Sequence, residues 1–222
     1  VGPDGKIMTS CLKQLKIEEI DVLILSHFHA DHVEGLELVN NRYEIDKIYA
    51  TWVEDPIYEV KKVKEILGSF KIQHMKAGEL ISIGDINIQC LWPNNEKIMV
   101  ESIPNNSSVV NLITIKNASF LLTGDIEPPA QEAIRNLWKI PPVDIVKVPH
   151  HGSKFQDGEF PYWTGARLAL VSAGKENSYG HPSSQAIDLY QDSGMKVLTT
   201  DVVGSIAIKV SDDDSIQVST QD

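Results

Sequence analysis

The feature that most constrains this chain is the hexapeptide His27-Phe28-His29-Ala30-Asp31-His32, which follows directly on the apolar strand candidate Val22–Ser26. Packing does not explain three imidazoles and a carboxylate in so short a stretch. Histidine nitrogen and aspartate oxygen are ligands that suit Zn²⁺, Mn²⁺ or Fe²⁺. The spacing favours one ion held by His27 and His29 and a second held by Asp31 and His32. Such a loop belongs at the end of a sheet, where other strand ends can complete the site.

Other candidate ligands also follow strand candidates. Asp125 comes after Gly124 and the strand candidate Ser119–Thr123. We expect its carboxylate to bridge the two ions, although an aspartate at this place also suits the start of the next helix. His150 and His151 follow another buried strand candidate. We expect one of them to face the metals and the other to face the pocket.

Two further residue types complete the candidate site. His181, directly before Pro182, is either a ligand, a group that contacts phosphate or a residue of the helix start. Lys154 and Lys175 lie in the loops that carry these histidines, so positive charge can gather where a phosphate would bind, although each also suits a solvated surface. The isolated His74 lies in a strand pattern and is interpreted as structural.

Composition excludes several classes of protein. The two cysteines, Cys11 and Cys90, cannot form a disulfide framework or a thiolate-rich zinc site. The 20 Lys and Arg against 31 Asp and Glu give a net charge of −11, which argues against nucleic-acid binding through the whole surface. No apolar run is long enough to predict a membrane span, and no N-terminal segment has the pattern of a signal peptide.

The pattern along the chain predicts one layered α/β (α+β) domain over residues 1–210, followed by a polar acidic tail over 211–222. Apolar runs of strand length alternate with helical periodicity, and no linker or repeat divides them. The helix candidates are Met8–Leu15, Val33–Val39, Ile57–Leu67, Pro128–Leu137 and Ser184–Asp192. Hairpins are predicted at 82–86 and at 116–119.

These motifs resemble those of a known superfamily. The first hexapeptide is similar to the H-x-H-x-D-H signature of the metallo-β-lactamase superfamily, and Thr123-Gly124-Asp125 resembles its bridging-aspartate motif. A narrower order of motifs resembles the C-terminal soluble domain of ComEC-type DNA-uptake (competence) proteins. The segments that carry it are Asn106–Val110, Leu121–Glu127, Val148–Ser153 and Ser172–Pro182.

The resemblance implies a four-layer αβ/βα sandwich with its N-terminal strands missing, and a metal-dependent hydrolase with two divalent ions, Zn or Mn. The metal ligands expected from it and from the residues are His27, His29, Asp31, His32, Asp125 and His151. Asp31, His150 and His181 are expected to be catalytic, and Ser107, Ser153, Lys154 and Lys175 to bind substrate. Many members supply a third histidine to the first metal, but Asn106-Ser107-Ser108 stands there in this chain. The His27–His29 site is therefore expected to be the weaker one.

The expected reaction is attack of a metal-bound hydroxide on a phosphodiester, with DNA as the expected substrate. Three alternatives stay open: a small-molecule phosphoester hydrolase resembling phosphorylcholine esterases, hydrolysis of a carbonyl compound, and a non-catalytic DNA-binding domain with an incomplete metal site. The resemblance also implies covalent fusion to a membrane channel in a longer protein. The domain would then lie on the extracytoplasmic face, and otherwise in the cytoplasm.

Overall fold

The computed structural model describes residues 2–69, 71–94 and 100–221. Its strands are β1 (Glu19–Leu25), β2 (Glu44–Thr51), β3 (Ile72–Met75), β4 (Leu80–Ile83), β5 (Ile86–Trp92), β6 (Val110–Ile115), β7 (Ala118–Leu122), β8 (Ile145–Lys147), β9 (Leu168–Val171), β10 (Lys196–Thr199), β11 (Ser205–Val210) and β12 (Ile216–Gln221). Its helices are α1 (Gly5–Gln14), α2 (Ala30–Val33), α3 (Leu36–Arg42), α4 (Ile57–Leu67), α5 (Ile103–Asn106), α6 (Pro128–Leu137), α7 (Phe160–Thr164), α8 (Ser184–Asp192) and α9 (Thr200–Val203). A 3₁₀ turn covers Pro149–Gly152.

The strands form two main sheets. In the smaller sheet, β1, β2 and β3 lie side by side in parallel. The larger sheet has the order β10-β9-β8-β7-β6-β5-β4, with antiparallel pairing from β4 to β7 and parallel pairing from β7 to β10. A separate antiparallel hairpin joins β11 and β12. Because β7 to β10 are parallel, the loops that follow them all emerge at one edge of the larger sheet.

Alternation along the strands builds four layers. In β1, Leu25 packs with α3 and α4, while its neighbour Ile24 packs toward the other sheet against Met75 and Cys90. The larger sheet buries its opposite face against α6, α7 and α8, through residues such as Tyr190. Successive side chains of a strand point to opposite faces, so each sheet needs two apolar partners. The four-layer αβ/βα architecture and the two predicted hairpins are confirmed.

Two expectations about helices were wrong. The helix predicted over 33–39 is two helices, α2 and α3, separated at Glu34 and Gly35. Gly35 lies against the start of α1, where a Cβ on Gly5 would come within 2.6 Å of the Gly35 carbonyl oxygen. The helix predicted from Met8 begins at Gly5, because the Asp4 side chain accepts a hydrogen bond from the Lys6 amide.

The acidic segment 211–222 also contains regular structure. Residues 216–221 form β12, which pairs along its whole length with β11 while most of its residues stay exposed. A strand with so little buried surface has a weak hydrophobic alternation. The composition of the segment therefore predicted a polar tail rather than a hairpin.

Candidate metal centre

The ends of three strands bring the candidate ligands together. His27 follows β1, Asp125 follows β7, and His151 lies in the 3₁₀ turn that follows β8. Since β7 and β8 are parallel neighbours, their following loops meet at the same edge. The loop after β1 reaches this edge from the smaller sheet, where the Ser26 carbonyl accepts a hydrogen bond from the Val109 amide.

Four side chains converge on one point: Asp31, His32, Asp125 and His151. One ligand atom from each lies within 4.8 Å of all the others. Asp125 Oδ2 is 3.1 Å from His32 Nε2 and 3.2 Å from His151 Nε2, and these two nitrogens are 3.2 Å apart. Asp31 Oδ2 is 3.5 Å from His32 Nε2 and 3.4 Å from His151 Nε2.

Hydrogen bonds orient the imidazoles for metal binding. His151 Nδ1 lies 2.7 Å from the Ser172 carbonyl oxygen, which can only accept, so Nδ1 donates and the ring turns Nε2 toward the cluster. His32 Nδ1 lies 3.3 Å from the Ser26 hydroxyl, and its Nε2 also faces the cluster. Histidine ligands of metals have their other ring nitrogen held in this way. This donor set of two nitrogens and two carboxylates fits a divalent ion.

A second pair of nitrogens lies beside this cluster. His27 Nε2 is 3.1 Å from His29 Nδ1, and the His27 and His32 ring centroids are 4.2 Å apart. His27 is fully buried, and its Nδ1 contacts the hydroxyls of Ser26 at 3.2 Å and Ser108 at 3.1 Å. His27 and His29 lie outside the cluster of four. Among the described residues, they do not form a separate group of three or more candidate ligands.

The electrostatics of the cluster keep both carboxylates ionised. Burial alone would raise the pKa of Asp31, but the hydrogen bond from His151 and the charge of His32 lower it to about 2. Burial opposes ionisation of Asp125 as well, yet Lys147, His151 and His32 hold its pKa well below the usual range. Asp125 Oδ1 is buried and lacks a hydrogen-bond partner among the described residues. An additional cation at this point would therefore compensate buried negative charge.

The backbone is strained where it presents the histidines. His150 and His151 both adopt the left-handed region, with φ of 49° and 53°. Such conformations cost roughly 1–3 kcal/mol each and occur mainly at functional sites. Gly124, with φ of 55°, allows the chain to pass the cluster, since a Cβ there would lie 2.6 Å from Ser108 Cβ.

His150 faces away from the four-ligand cluster and toward Glu127. Its Nδ1 lies 3.4 Å from Glu127 Oε1. The Asn105 and Asn106 amides donate to the two carboxylate oxygens of Glu127 at 3.1 and 3.3 Å. Burial would raise the pKa of Glu127, but these contacts lower it. His150 also packs edge-on against His181, with ring centroids 5.4 Å apart.

An open cavity of about 610 Å³ lies over the cluster. The expected site residues that line it are His29, Asp31, Asp125, His150, His151 and His181. Ser107 and Ser153 are buried and do not line the cavity, and the Ser153 hydroxyl accepts a hydrogen bond from the Phe155 amide. Lys154 is exposed, with its ammonium 5.3 Å from the Phe155 ring, and Lys175 is exposed in the loop after β9. The substrate-binding roles of these four residues stay predictions.

Sequence reasoning missed the residues that hold the ligands in place. Lys147 Nζ donates to the Gly124 carbonyl at 2.8 Å and lies 3.6 Å from Asp125 Oδ1. Ser108 accepts a hydrogen bond from the Asp125 amide at 3.1 Å while it contacts His27. Neither residue type signals such a role by itself. The available signal was position: Ser108 lies in the segment that replaces the missing third histidine, and Lys147 lies three residues before His150.

We expect Ser108→Ala to weaken metal binding and any metal-dependent activity by roughly 10–100-fold, as is usual for partners that orient metal ligands. The hydroxyl touches both His27 and the Asp125 backbone, so its loss frees two ligands at once. Titration of the metal-free protein with Mn²⁺ measures the affinity. Ser119→Ala is the matched control, because that hydroxyl bonds Asp144 at the opposite end of β8. Equal affinities for the two variants would contradict this role.

The sequence is similar to a known family model and to several known proteins. A family model described as the metallo-beta-lactamase superfamily matches residues 2–71, which include the His27–His32 hexapeptide. The chain is 30% identical over 204 residues to ComE operon protein 3 of Bacillus subtilis, an alignment covering 90% of this chain and 26% of that protein. It is 26% identical over 196 residues to competence protein ComA of Neisseria gonorrhoeae, covering 86% and 25%.

A third relative carries a nuclease name. Exodeoxyribonuclease WalJ of Streptococcus pneumoniae is 26% identical over 99 residues, covering 44% of this chain and 36% of WalJ. The chain spans about a quarter of the length of ComE operon protein 3 and of competence protein ComA. The structure holds no helix, within its described ranges, whose length and apolar character would let it span a bilayer.

A solved structure has the same fold. Tm1679, described as a metal-dependent hydrolase of the beta-lactamase superfamily, aligns with a TM-score of 0.55 at 13% identity, covering 89% of this chain and 83% of Tm1679. These similarities confirm the resemblance and the fold expected from the sequence.

Proposed function

We propose that this chain, which has the metallo-β-lactamase fold, is a metal-dependent hydrolase and that it acts as a phosphodiesterase that cleaves DNA. The observation that carries the proposal is the cavity in which a four-ligand His/Asp cluster lies beside two further histidines, His150 and His181. The first group can hold divalent cations against a phosphate. The second can contact or protonate the oxygens of an ester.

The proposed cofactors are two divalent ions, Zn or Mn. His27 and His29 would hold one ion, Asp31, His32 and His151 the other, and the carboxylate of Asp125 would lie between them. When bound, such ions activate water near neutral pH and neutralise negative charge on the phosphate. The pair of nitrogens from His27 and His29 offers fewer ligands than the second group, which supports a weaker first site.

The protein residues supply position and protons. Glu127, itself held by two asparagine amides, fixes the orientation of His150 and leaves that ring at the cavity wall. We propose that His150 acts as the general acid that protonates the leaving oxygen. Burial and the charge of His150 lower the pKa of His181, so His181 is neutral at pH 7 and suits a hydrogen bond to phosphate. Asp31 is ionised, as a ligand must be.

The choice of DNA as the proposed substrate rests on the relatives of this chain. The competence-related relatives and the nuclease-named relative support a nucleic-acid substrate. The net charge of −11 opposes binding over the whole surface, so contact with DNA has to be local and strongly dependent on salt. Fusion to a membrane channel and an extracytoplasmic location stay predictions.

The test is hydrolysis of bis-p-nitrophenyl phosphate, single-stranded DNA and nitrocefin, side by side with added Mn²⁺ at low salt. We expect cleavage of both phosphodiesters, no turnover of nitrocefin, and loss of activity with a chelator. Asp31→Ala should lower kcat/KM more than about a hundredfold, since partners that only orient ligands already cost roughly 10–100-fold. Asp46→Ala, which removes an exposed carboxylate of β2, is the control and should leave the rate unchanged.

Each contrary result has a definite meaning. Cleavage of the small diester without cleavage of DNA would contradict the DNA assignment and favour a small-molecule esterase. Turnover of nitrocefin alone would indicate carbonyl chemistry. Activity that survives Asp31→Ala would reveal a contaminating nuclease.

A further inference from the structure

The loop that follows β9 closes one side of the cavity with an aromatic side chain that the chemistry above does not use. Tyr179 lines the cavity together with His181, yet 81% of its surface is exposed. Its ring lies nearly parallel to the His181 ring, with centroids 6.2 Å apart and an angle of 23° between the planes. One edge of the tyrosine is thus placed over the cavity wall while much of the ring stays open.

The loop is braced so that this ring is held at the cavity. The Asn177 side-chain amide donates to the Gly174 carbonyl at 2.8 Å and to the His181 carbonyl. The Asn177 side-chain oxygen accepts the His181 amide at 3.0 Å. One side chain therefore ties together both ends of the segment that carries Tyr179. A preorganised aromatic ring loses less conformational entropy on binding a ligand than a mobile one.

A nucleobase is the ligand chemistry that this placement fits. Bases stack on aromatic side chains of proteins that bind single strands, and they do so with little dependence on sequence. Such a contact carries no charge, so it works in a chain of net charge −11, where attraction to phosphates over the whole surface is weak. A base inside a duplex is already stacked on both faces, so only an unpaired base can offer a face to Tyr179.

We propose that Tyr179 is a stacking platform for an unpaired base next to the phosphate in the cavity, and that it gives the protein a preference for single-stranded nucleic acid. This inference rests on the proposed function of the same site. Tyr179 positions the substrate and takes no part in the proton transfers. It therefore acts on the KM for a base-bearing substrate and leaves kcat nearly unchanged.

The experiment compares two substrates that differ only in the bases: a short oligothymidylate and an abasic oligomer of the same length. With Mn²⁺ and wild-type protein, we expect a lower KM for the oligothymidylate. Tyr179→Ala should raise that KM about five- to a hundredfold, from the usual contribution of one base stacked on an aromatic ring. The same variant should leave the KM of the abasic oligomer unchanged, and Tyr179→Phe should retain most of the wild-type value.

Tyr58→Ala is the matched control, because Tyr58 is a comparably exposed tyrosine on α4, outside the residues that line the cavity. It should leave both KM values unchanged. An equal effect of Tyr179→Ala on both substrates, or none on the oligothymidylate, would overturn the stacking role. If wild-type protein cleaves neither substrate, the proposed function fails. Fluorescence anisotropy with labelled oligothymidylate then tests Tyr179 separately, and equal Kd values for wild type and Tyr179→Ala would overturn the inference.

Discussion

Asp125→Ala is expected to remove the metal centre and to bring phosphodiesterase activity to the level of the metal-free protein, a loss of more than about a hundredfold, since partners that only orient a ligand already cost roughly 10–100-fold. Asp125 is 1% exposed, and one of its oxygens lies within 3.2 Å of both His32 and His151. Metal content per folded chain, measured after dialysis, should fall together with the rate.

The same substitution also affects folding, so a control has to separate the two effects. Without Asp125 the Lys147 ammonium loses its carboxylate, and breaking a buried ion pair costs about 3–5 kcal/mol. Asp144→Ala removes another carboxylate of the same sheet, which accepts from Ser119 and pairs with Arg167 at the opposite end of β8. It should lower the free energy of unfolding while metal content stays normal.

Asp125→Asn supplies a second comparison. It keeps the size of the side chain but removes the charge that a cation needs, so we expect it to lose metal nearly as completely as the alanine variant. Full metal content in a folded Asp125→Asn protein would contradict the assignment of Asp125 as a ligand. Full metal content in folded Asp125→Ala would contradict it more strongly.

The fold could be predicted largely because its signals are local. The turn that joins β4 to β5 and the periodicity of α4 depend on neighbouring residues, and the structure has both the predicted hairpin and the predicted helix Ile57–Leu67. The expectation failed at Gly35, because the break between α2 and α3 depends on the contact with Gly5 from another helix. It also failed for β12, whose partner strand supplies hydrogen bonds rather than apolar burial.

In the candidate site, too, the residues with a local sequence signal could be predicted and the others could not. Histidines and aspartates can be identified as candidate ligands by type and spacing, so the six ligands predicted from the sequence include all four residues of the cluster. His27 and His29, predicted with them, lie beside it. Ser26, Ser108 and Lys147 are common residue types whose roles arise only when separate strand ends meet. Register between β7 and β8 decides that meeting, and no local pattern encodes it.

Binding of the ion that Asp31, His32 and His151 would hold is expected to release one proton near neutral pH, and the apparent affinity of that site to rise about tenfold per pH unit up to about pH 9. The group responsible is His151. Burial lowers its pKa and Lys147 opposes its charge, but hydrogen bonds to Asp125 and Asp31 raise the pKa to about 9 in the metal-free protein. The Nδ1 proton of His151 stays on that nitrogen, hydrogen-bonded to the Ser172 carbonyl oxygen, so the proton lost on metal binding comes from Nε2.

The neighbouring groups with shifted pKa values do not add to this slope. Asp31 and Asp125 are ionised throughout this range, and burial keeps the pKa of His27 below its usual value, so that ring is already neutral. Calorimetric titration with Mn²⁺ at pH 7, in two buffers of different ionisation enthalpy, counts the protons released. Mn²⁺ is preferable to Zn²⁺, because water on aqueous Zn²⁺ itself titrates near pH 9. His74→Gln, a change at an exposed histidine of β3, is the control and should leave the proton count unchanged.

The stability of the metal-free protein should change in the opposite direction. The pKa of His151 is higher in the folded chain than the unfolded value of about 6.5, so protonated His151 stabilises the fold fully below that pH. This stabilisation is lost as the pH rises through about 9. The Tm of the metal-free protein should therefore fall between pH 6.5 and 9, while the rise in Tm on adding a fixed concentration of Mn²⁺ should grow. An affinity for Mn²⁺ that is the same at pH 7 and pH 9, with no proton released, would show that His151 is not a ligand.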